Sequence, residues 1–207
     1  TIKKGKYGLV SISGKELCAF EFQQLFGIPY TNRFKFRVGD KWGLLNSRFE
    51  KASEAIYSEI EAFPTEQYSY EGRPNLSATY FRIVHEKVSG VFHIDRGEVI
   101  APEYLYIEGH FPRSDLPFEP VFTCAQDSTF EIRTCDPKVF AKPVDRFHEF
   151  RIHFAQNYFS DEDRIPKVVL LDSKTGLYAA IDLKTGQQSA WYQHVTPYGH
   201  YYVVSDK

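Results

Sequence analysis

The chain of 207 residues contains no methionine, only three cysteines and no long apolar run. Cys18, Cys124 and Cys135 are odd in number and lack Cys-x-x-Cys spacing. This pattern argues against a disulfide framework or a cysteine-based metal site and leaves one bridge open at most. No apolar stretch reaches the roughly 20 residues of a membrane helix, so we expect no membrane span. Because methionine is absent, we expect an incomplete N-terminus, and a cytoplasmic or an exported location both stay open.

The familiar catalytic and nucleotide-binding motifs are also missing. No Gly-x-Ser-x-Gly elbow, phosphate loop or dinucleotide fingerprint occurs. His148 and His153 are five residues apart, a spacing that places them on different faces of a helix or a strand and argues against a zinc-protease motif. The acidic run 161–163 lacks the glycine and spaced carboxylates of a calcium loop. A cysteine nucleophile would need a base such as His110 nearby in space. The sequence therefore predicts no catalytic residue, no metal and no cofactor.

Charge is nearly balanced overall but uneven along the chain. The net charge of −2 gives no reason to favour a nucleic-acid partner. Residues 1–51 hold ten Lys and Arg against four Asp and Glu, whereas residues 52–136 hold six against fifteen. Arg33, Lys35 and Arg37 alternate with apolar residues, so we expect them on one face of a strand. Together with Lys3, Lys4 and Lys6, this face is a candidate binding surface for nucleic acid or an acidic partner, and an ordinary polar strand face is the alternative.

A short phrase recurs along the chain between runs of alternating apolar and polar residues. Alternation with period two, bounded by Gly, Asp, Asn or Ser, is typical of strands and turns. Each copy therefore predicts a strand, a tight turn and a second strand. The copies are Gly5–Val10, Asp40–Leu45, Val88–Phe92 and Lys174–Tyr178, and a degenerate copy without glycine is expected at Cys135–Phe140 after a strand at Thr129–Arg133.

The turns and chain ends extend this pattern. Further hairpin turns are expected where glycine follows the second strand, at 13–15, 96–98 and 184–186. Helix is scarce, with weak candidates at 50–57 and near 145–154. Residues 201–207 resemble the strand that comes before the phrase in other copies, but no phrase follows them. Residues 3–8 resemble the phrase itself, but no strand is predicted before them. We expect either a piece of a longer array or two ends that pair and close a ring.

The recurring phrase resembles the WG repeats (KWG repeats) of bacterial proteins. The resemblance rests on Lys41-Trp42-Gly43-Leu44-Leu45-Asn46 and on Tyr7-Gly8-Leu9-Val10-Ser11-Ile12-Ser13-Gly14-Lys15, with Val99–Tyr104 matching a later Pro-x-Tyr element of the family. It covers most of the chain, and residues 110–166 depart from it. The resemblance implies a β-rich bacterial protein without assigned catalytic residues.

These observations together predict an all-β fold of about five tandem antiparallel hairpin units, as an open curved array or a closed propeller-like ring. We expect a single β-repeat domain over residues 1–207, either by itself or as part of a longer array, with a divergent unit at about 110–166. The sequence predicts a non-catalytic binding or scaffold protein that engages a macromolecular partner, with a protein favoured over a glycan, through variable loops at 62–79, 110–128 and 145–166.

Two alternatives belong to other classes of function. A glycan-binding module would present exposed aromatic faces, for which Trp191 and Tyr192 are the candidates. A glycoside hydrolase-like enzyme would place two carboxylates across a cleft, about 5–9 Å apart, in the acidic middle region. Arg33, Lys35, Arg37, Trp191 and Tyr192 are thus the candidate binding residues.

Overall fold

Alternating apolar and polar residues form β-strands in the part of the chain that the structure describes. The computed structural model describes residues 1–29, 31–63, 79–111, 120–127, 129–135, 142–145, 148–153, 167–172, 174–182, 187–198 and 201–205. Within these ranges the named elements are all β-strands, and no α-helix occurs. The predicted all-β fold is confirmed: the strands form small antiparallel sheets, mostly hairpins, and no closed ring is found among the described sheets.

Neither weak helix candidate is helical where it is described. In the segment 50–57, Tyr57 and Trp42 exchange backbone hydrogen bonds of 2.8 and 3.3 Å, so Tyr57 forms an antiparallel β-bridge with β6. The second candidate contains the strand His148–His153. Both segments lack a continuous apolar stripe, so pairing with a neighbouring strand determines their conformation.

The chain divides into two compact units, of which Thr1–Leu105 is the first. Its described strands are β1 (Ile2–Lys3), β2 (Lys6–Val10), β3 (Glu16–Phe22), β4 (Gln24–Gly27), β5 (Phe34–Val38), β6 (Lys41–Leu45), β7 (Glu59–Ala62), β8 (Tyr80–His85), β9 (Val88–His93) and β10 (Gly97–Tyr104). They form the sheets β1-β2-β3, β4-β5-β6 and β7-β8-β9-β10. Each strand pairs with its sequence neighbour in the same sheet, so all three sheets are antiparallel meanders.

The second unit, Tyr106–Lys207, follows the same rule. Its described strands are β11 (Tyr106–His110), β12 (Val121–Gln126), β13 (Thr129–Thr134), β14 (Lys142–Asp145), β15 (His148–His153), β16 (Lys167–Asp172), β17 (Leu177–Asp182), β18 (His194–Tyr198) and β19 (Tyr201–Ser205). They form the sheets β11-β12-β13-β14, β15-β16-β17 and β18-β19. The expectation of a single domain over residues 1–207 stays a prediction.

The recurring phrase is a hairpin in its four glycine-containing copies. The strands join at the pairs Lys3↔Lys6, Val38↔Lys41, His85↔Val88 and Asp172↔Leu177. The first of these pairs corrects the expectation that no strand precedes the phrase at residues 3–8, because the short strand β1 pairs with β2. Of the further turns, Gly14 and Gly97 have φ of 82° and 83°, as predicted, and 184–186 lies outside the described residues.

The strand predicted before the degenerate copy is confirmed, since Thr129–Thr134 is β13 and pairs with β14 at Thr129↔Asp145. Residues 136–140 of the copy itself lie outside the described residues, so this copy stays a prediction. A tight hairpin that the recurring phrase did not predict joins β12 to β13 at Gln126↔Thr129. Asp127 takes the left-handed conformation there, with φ of 45°, which aspartate tolerates better than most residues.

The predicted recognition loops fall partly outside the described residues. Residues 64–78, 112–119 and 154–166 are not described. Two segments of the predicted loops are regular β-strands instead, Val121–Gln126 and His148–His153.

The core of the first unit shows why the hairpins occur in series. Leu44 and Leu45 are adjacent on β6 and are both completely buried. Because neighbouring residues of a strand point to opposite faces, they enter different clusters. Leu44 packs with residues of the sheet β7–β10, including Phe81, whereas Leu45 packs with Phe22 of the first sheet. The sheet β4-β5-β6 is thus buried on both faces, as expected for a unit that packs between two neighbours.

Two described parts of the second unit show similar burial. On β12, every residue from Val121 to Ala125 is buried, so this strand is covered on both faces. A smaller cluster joins Val169, Ala180 and Val195, against which Tyr178 and Tyr192 pack. In the described part of the chain, no helix is long and apolar enough to cross a membrane.

Candidate functional site: a cation–aromatic surface

The predicted basic strand face lies on and just before β5. Phe36 is 1% exposed, whereas Lys35 and Arg37 are half-buried on the opposite face, which confirms the alternation there. Val38 is 45% exposed, so the apolar face ends at the hairpin turn. Arg33 precedes the strand and is fixed through its backbone, whose carbonyl accepts a hydrogen bond of 2.9 Å from the Ile28 amide.

Lys35 and Arg37 lie against the ring of Trp42 on the neighbouring strand. Arg37 and Trp42 are directly paired across β5 and β6. The Lys35 ammonium is 5.0 Å and the Arg37 guanidinium 5.7 Å from the ring centroid, within the range of cation–π attraction. Phe26 on β4 completes the group, with its ring 5.9 Å from that of Trp42 and a side chain that is 48% exposed. We call Phe26, Lys35, Arg37 and Trp42 the cation–aromatic surface.

Neutral groups accept the recorded hydrogen bonds of both cations. Arg37 donates from Nε to the Gly39 carbonyl at 3.0 Å and from Nη1 to Gln24 Oε1 at 3.5 Å. Lys35 donates from Nζ to the Ile60 carbonyl at 3.4 Å. An ammonium has three donors and a guanidinium five, so both groups keep donors for a further acceptor.

An acidic pair lies on the neighbouring sheet. Glu59 and Glu61 are two residues apart on β7, and Arg82 contacts both, at 3.8 and 2.5 Å. The hydrogen bond donated by Arg82 holds the pKa of Glu61 below its ordinary value. A glycosidase acid needs the opposite shift, since it must stay protonated near neutral pH. The lowered pKa therefore does not fit Glu61 as the acid of the hydrolase hypothesis.

Trp191 and Tyr192 do not form a joint aromatic platform. Tyr192 exchanges two backbone hydrogen bonds of 2.7 Å with Tyr178, and its side chain packs on the Val169–Ala180–Val195 cluster. Adjacent residues of an extended segment point to opposite faces, so Trp191 is directed away from that packing. The two candidates are half-buried and belong to the second unit, whereas Arg33, Lys35 and Arg37 belong to the first.

His110 is not placed as a base for Cys124. Its ring nitrogen Nε2 is 2.9 Å from Thr123 Oγ1, and Cys124 follows Thr123 on the opposite face of β12. Burial lowers the pKa of His110, against an opposing effect of Glu108. This geometry favours a packed polar pair on the sheet.

All three cysteines are free thiols. Cys124 pairs with Glu131, four residues before Cys135, which puts the two cysteines about 13 Å apart along the strand. A disulfide spans much less, so the one bridge left open by the sequence is not formed. Among the described residues, no group of three metal-ligating side chains is gathered, and the acidic run 161–163 lies outside them.

Sequence reasoning missed a contact between two sheets of the first unit. The Tyr57 hydroxyl donates a hydrogen bond of 2.5 Å to Glu98 Oε1 on β10, while its ring packs edge-on against Phe92. Burial and this hydrogen bond raise the pKa of Tyr57. The partners are 41 residues apart, so no local pattern could have identified them.

Replacing Tyr57 by Phe is expected to lower the free energy of unfolding by about 1 kcal/mol at neutral pH, because the hydrogen bond to Glu98 is lost. Above pH about 10 the unfolded wild type ionises Tyr57 while the folded protein does not. The advantage of the wild type should therefore fall as pH rises, by up to about 1.4 kcal/mol per pH unit. Urea denaturation between neutral and alkaline pH measures this difference.

The matched control is Tyr106→Phe, at an exposed tyrosine, which is expected to change stability by less than about 0.5 kcal/mol at any pH. A difference between wild type and Tyr57→Phe that stays constant up to strongly alkaline pH would contradict the assigned pKa shift.

We found no match to this chain among protein-family models, curated proteins or solved structures. Inferences about its function therefore rest on the cation–aromatic surface and on the repeat pattern.

Proposed function

We propose that the chain is a non-catalytic binding or scaffold protein of the WG-repeat type that engages a protein partner. The observation that carries the proposal is the cation–aromatic surface, where an exposed Phe26 lies beside two cations that keep unused donors. Aromatic and arginine side chains are the residue types that contribute most to protein interfaces. The tandem array of about five units, open or closed, belongs to the same proposal.

The fold supports such a role because it holds this surface rigidly. Lys35, Arg37 and Trp42 lie on the paired strands β5 and β6, whose sheet contributes side chains to two buried clusters. A surface preformed in this way loses little conformational entropy when a partner binds. The variable loops predicted from the sequence would add specificity around it.

The alternatives find less support in the described residues. Tyr192 contributes to a core, which leaves Trp191 as a single aromatic candidate for a glycan. The carboxylates of β7 are held by Arg82 with a lowered pKa at Glu61, which opposes acid catalysis at that place.

Capture of a partner from the organism that encodes this chain tests the proposal. The purified chain is immobilised, incubated with lysate, and the eluted complex is analysed by size-exclusion chromatography with light scattering. We expect one stoichiometric protein partner, with cross-links that map to the first unit. Recovery of the chain alone, or hydrolysis of a glycoside library by it, would contradict the proposal.

A further inference from the structure

The outer edge of β4 runs beside the cation–aromatic surface. Within the described sheet, β4 pairs only with β5, so its other side is an edge. The Ile28 amide donates a hydrogen bond to the Arg33 carbonyl, so the backbone groups of Ile28 point toward β5. Backbone N–H and C=O groups alternate between the two sides of a strand, so those of Leu25 and Gly27 point away from β5, toward the open edge. The end of β4 at Phe26–Gly27 is exposed to solvent. An exposed edge of this kind is a template for a further strand.

The charge beside this edge selects the kind of strand. Arg37 extends toward β4, where its guanidinium reaches the side chain of Gln24, and both groups that accept its hydrogen bonds are neutral. Carboxylates form the strongest hydrogen bonds with such donors. The first 51 residues also carry an excess of six positive charges. The chemistry thus favours an acidic occupant.

We propose that the β4 edge, with Phe26 and Arg37, binds an extended acidic segment of a partner protein as an added β-strand. This inference rests on the proposed binding function and names the class of partner. Backbone hydrogen bonds to Leu25 and Gly27 hold the added strand, an apolar side chain packs on Phe26, and a carboxylate reaches Arg37. A polysaccharide or a nucleic acid supplies anionic groups but no backbone ladder.

A synthetic peptide tests the inference without knowledge of the natural partner. The probe is a fluorescent decapeptide in which Thr alternates with Glu and one central Val, so that the acidic and apolar side chains share one face. Its binding to the full chain is followed by anisotropy. We expect saturable binding that weakens as salt rises. A peptide with Gln in place of Glu should bind about tenfold more weakly, because the charge-assisted hydrogen bonds are lost. A peptide with Pro in place of Thr should also bind poorly, because proline removes backbone donors.

Variants locate the site. Arg37→Gln should weaken binding of the acidic peptide about tenfold, and Phe26→Ser should also weaken it. Lys41→Gln is the matched control, because it also removes one positive charge. Lys41 precedes Trp42 on β6, so its side chain lies on the other face of the sheet. Circular dichroism and urea denaturation establish that each variant is folded. If Arg37→Gln is unstable, Arg37→Lys replaces it; this variant keeps the charge and should retain most of the affinity.

Several outcomes would overturn the inference: no binding of the acidic peptide, equal weakening by Arg37→Gln and Lys41→Gln, or equal binding of the Gln peptide. Binding of a heparin oligosaccharide without binding of the peptide would also overturn it. If a stoichiometric partner is captured from lysate equally well by Arg37→Gln and the wild type, this inference fails while the proposed binding function stands.

Discussion

Leu44→Ala and Leu45→Ala are each expected to lower the free energy of unfolding by about 3 kcal/mol. Both side chains are completely buried, so each truncation loses apolar burial and leaves a cavity. The two leucines are neighbours in sequence, yet Leu44 belongs to the cluster of Tyr57, Phe81 and other residues, whereas Leu45 belongs to that of Phe22 and Phe36. Urea denaturation of both variants gives the losses, and Ile12→Ala, at a fully exposed position, should cause almost none.

Double-mutant cycles with Phe22→Leu test whether the leucines enter separate cores. Leu45 shares a cluster with Phe22, so we expect a coupling energy of about 1 kcal/mol between these two positions. Leu44 lies on the other face of the sheet, so its effect should add to that of Phe22→Leu within about 0.5 kcal/mol. Equal coupling of Phe22 to both leucines would contradict the arrangement in which the sheet β4-β5-β6 is packed on both faces.

The hairpins were predictable from the sequence because their signal is local. Alternation with period two and a turn between two runs locate β5 and β6, and likewise β8 and β9, to within a residue or two. The turn between β12 and β13 was not predicted, because the recurring phrase contains glycine, whereas Asp127 takes positive φ there. The pattern of residue types was too narrow there, although the physical requirement, one residue at positive φ, was met.

The candidate site was predictable only in part. Alternation placed Lys35 and Arg37 on one face. It could not show that both cations lie against the ring of Trp42, because that contact depends on the register between β5 and β6. The contribution of Phe26 depends on β4 in the same way. Tyr57 and Glu98 are further apart still and meet across two sheets. Contacts of this kind follow from packing, which one sequence does not encode as a local pattern.

Gly90→Ala is expected to lower the free energy of unfolding by about 3 kcal/mol or more, the upper range for overpacking a core. A Cβ atom at Gly90 would lie 2.5 Å from the Ile100 carbonyl oxygen, 2.7 Å from the Pro102 nitrogen and 2.8 Å from the Ala101 carbonyl carbon. All three are backbone atoms of β10, at a place where its register against β9 shifts. No side-chain rotation can relieve these contacts, so the two strands would have to separate.

The matched control for Gly90→Ala is Gly14→Ala, which makes the same chemical change at a turn. A Cβ at Gly14 would meet nothing within 4 Å, but its φ of 82° is unfavourable for alanine and should reduce stability by about 1–2 kcal/mol. The excess loss at Gly90, measured by urea denaturation, therefore reports the close approach of β9 and β10. Equal losses at the two positions would contradict this close approach. A larger loss at Gly90 would show that the glycine of this copy is required by the packing of β9 against the backbone of β10.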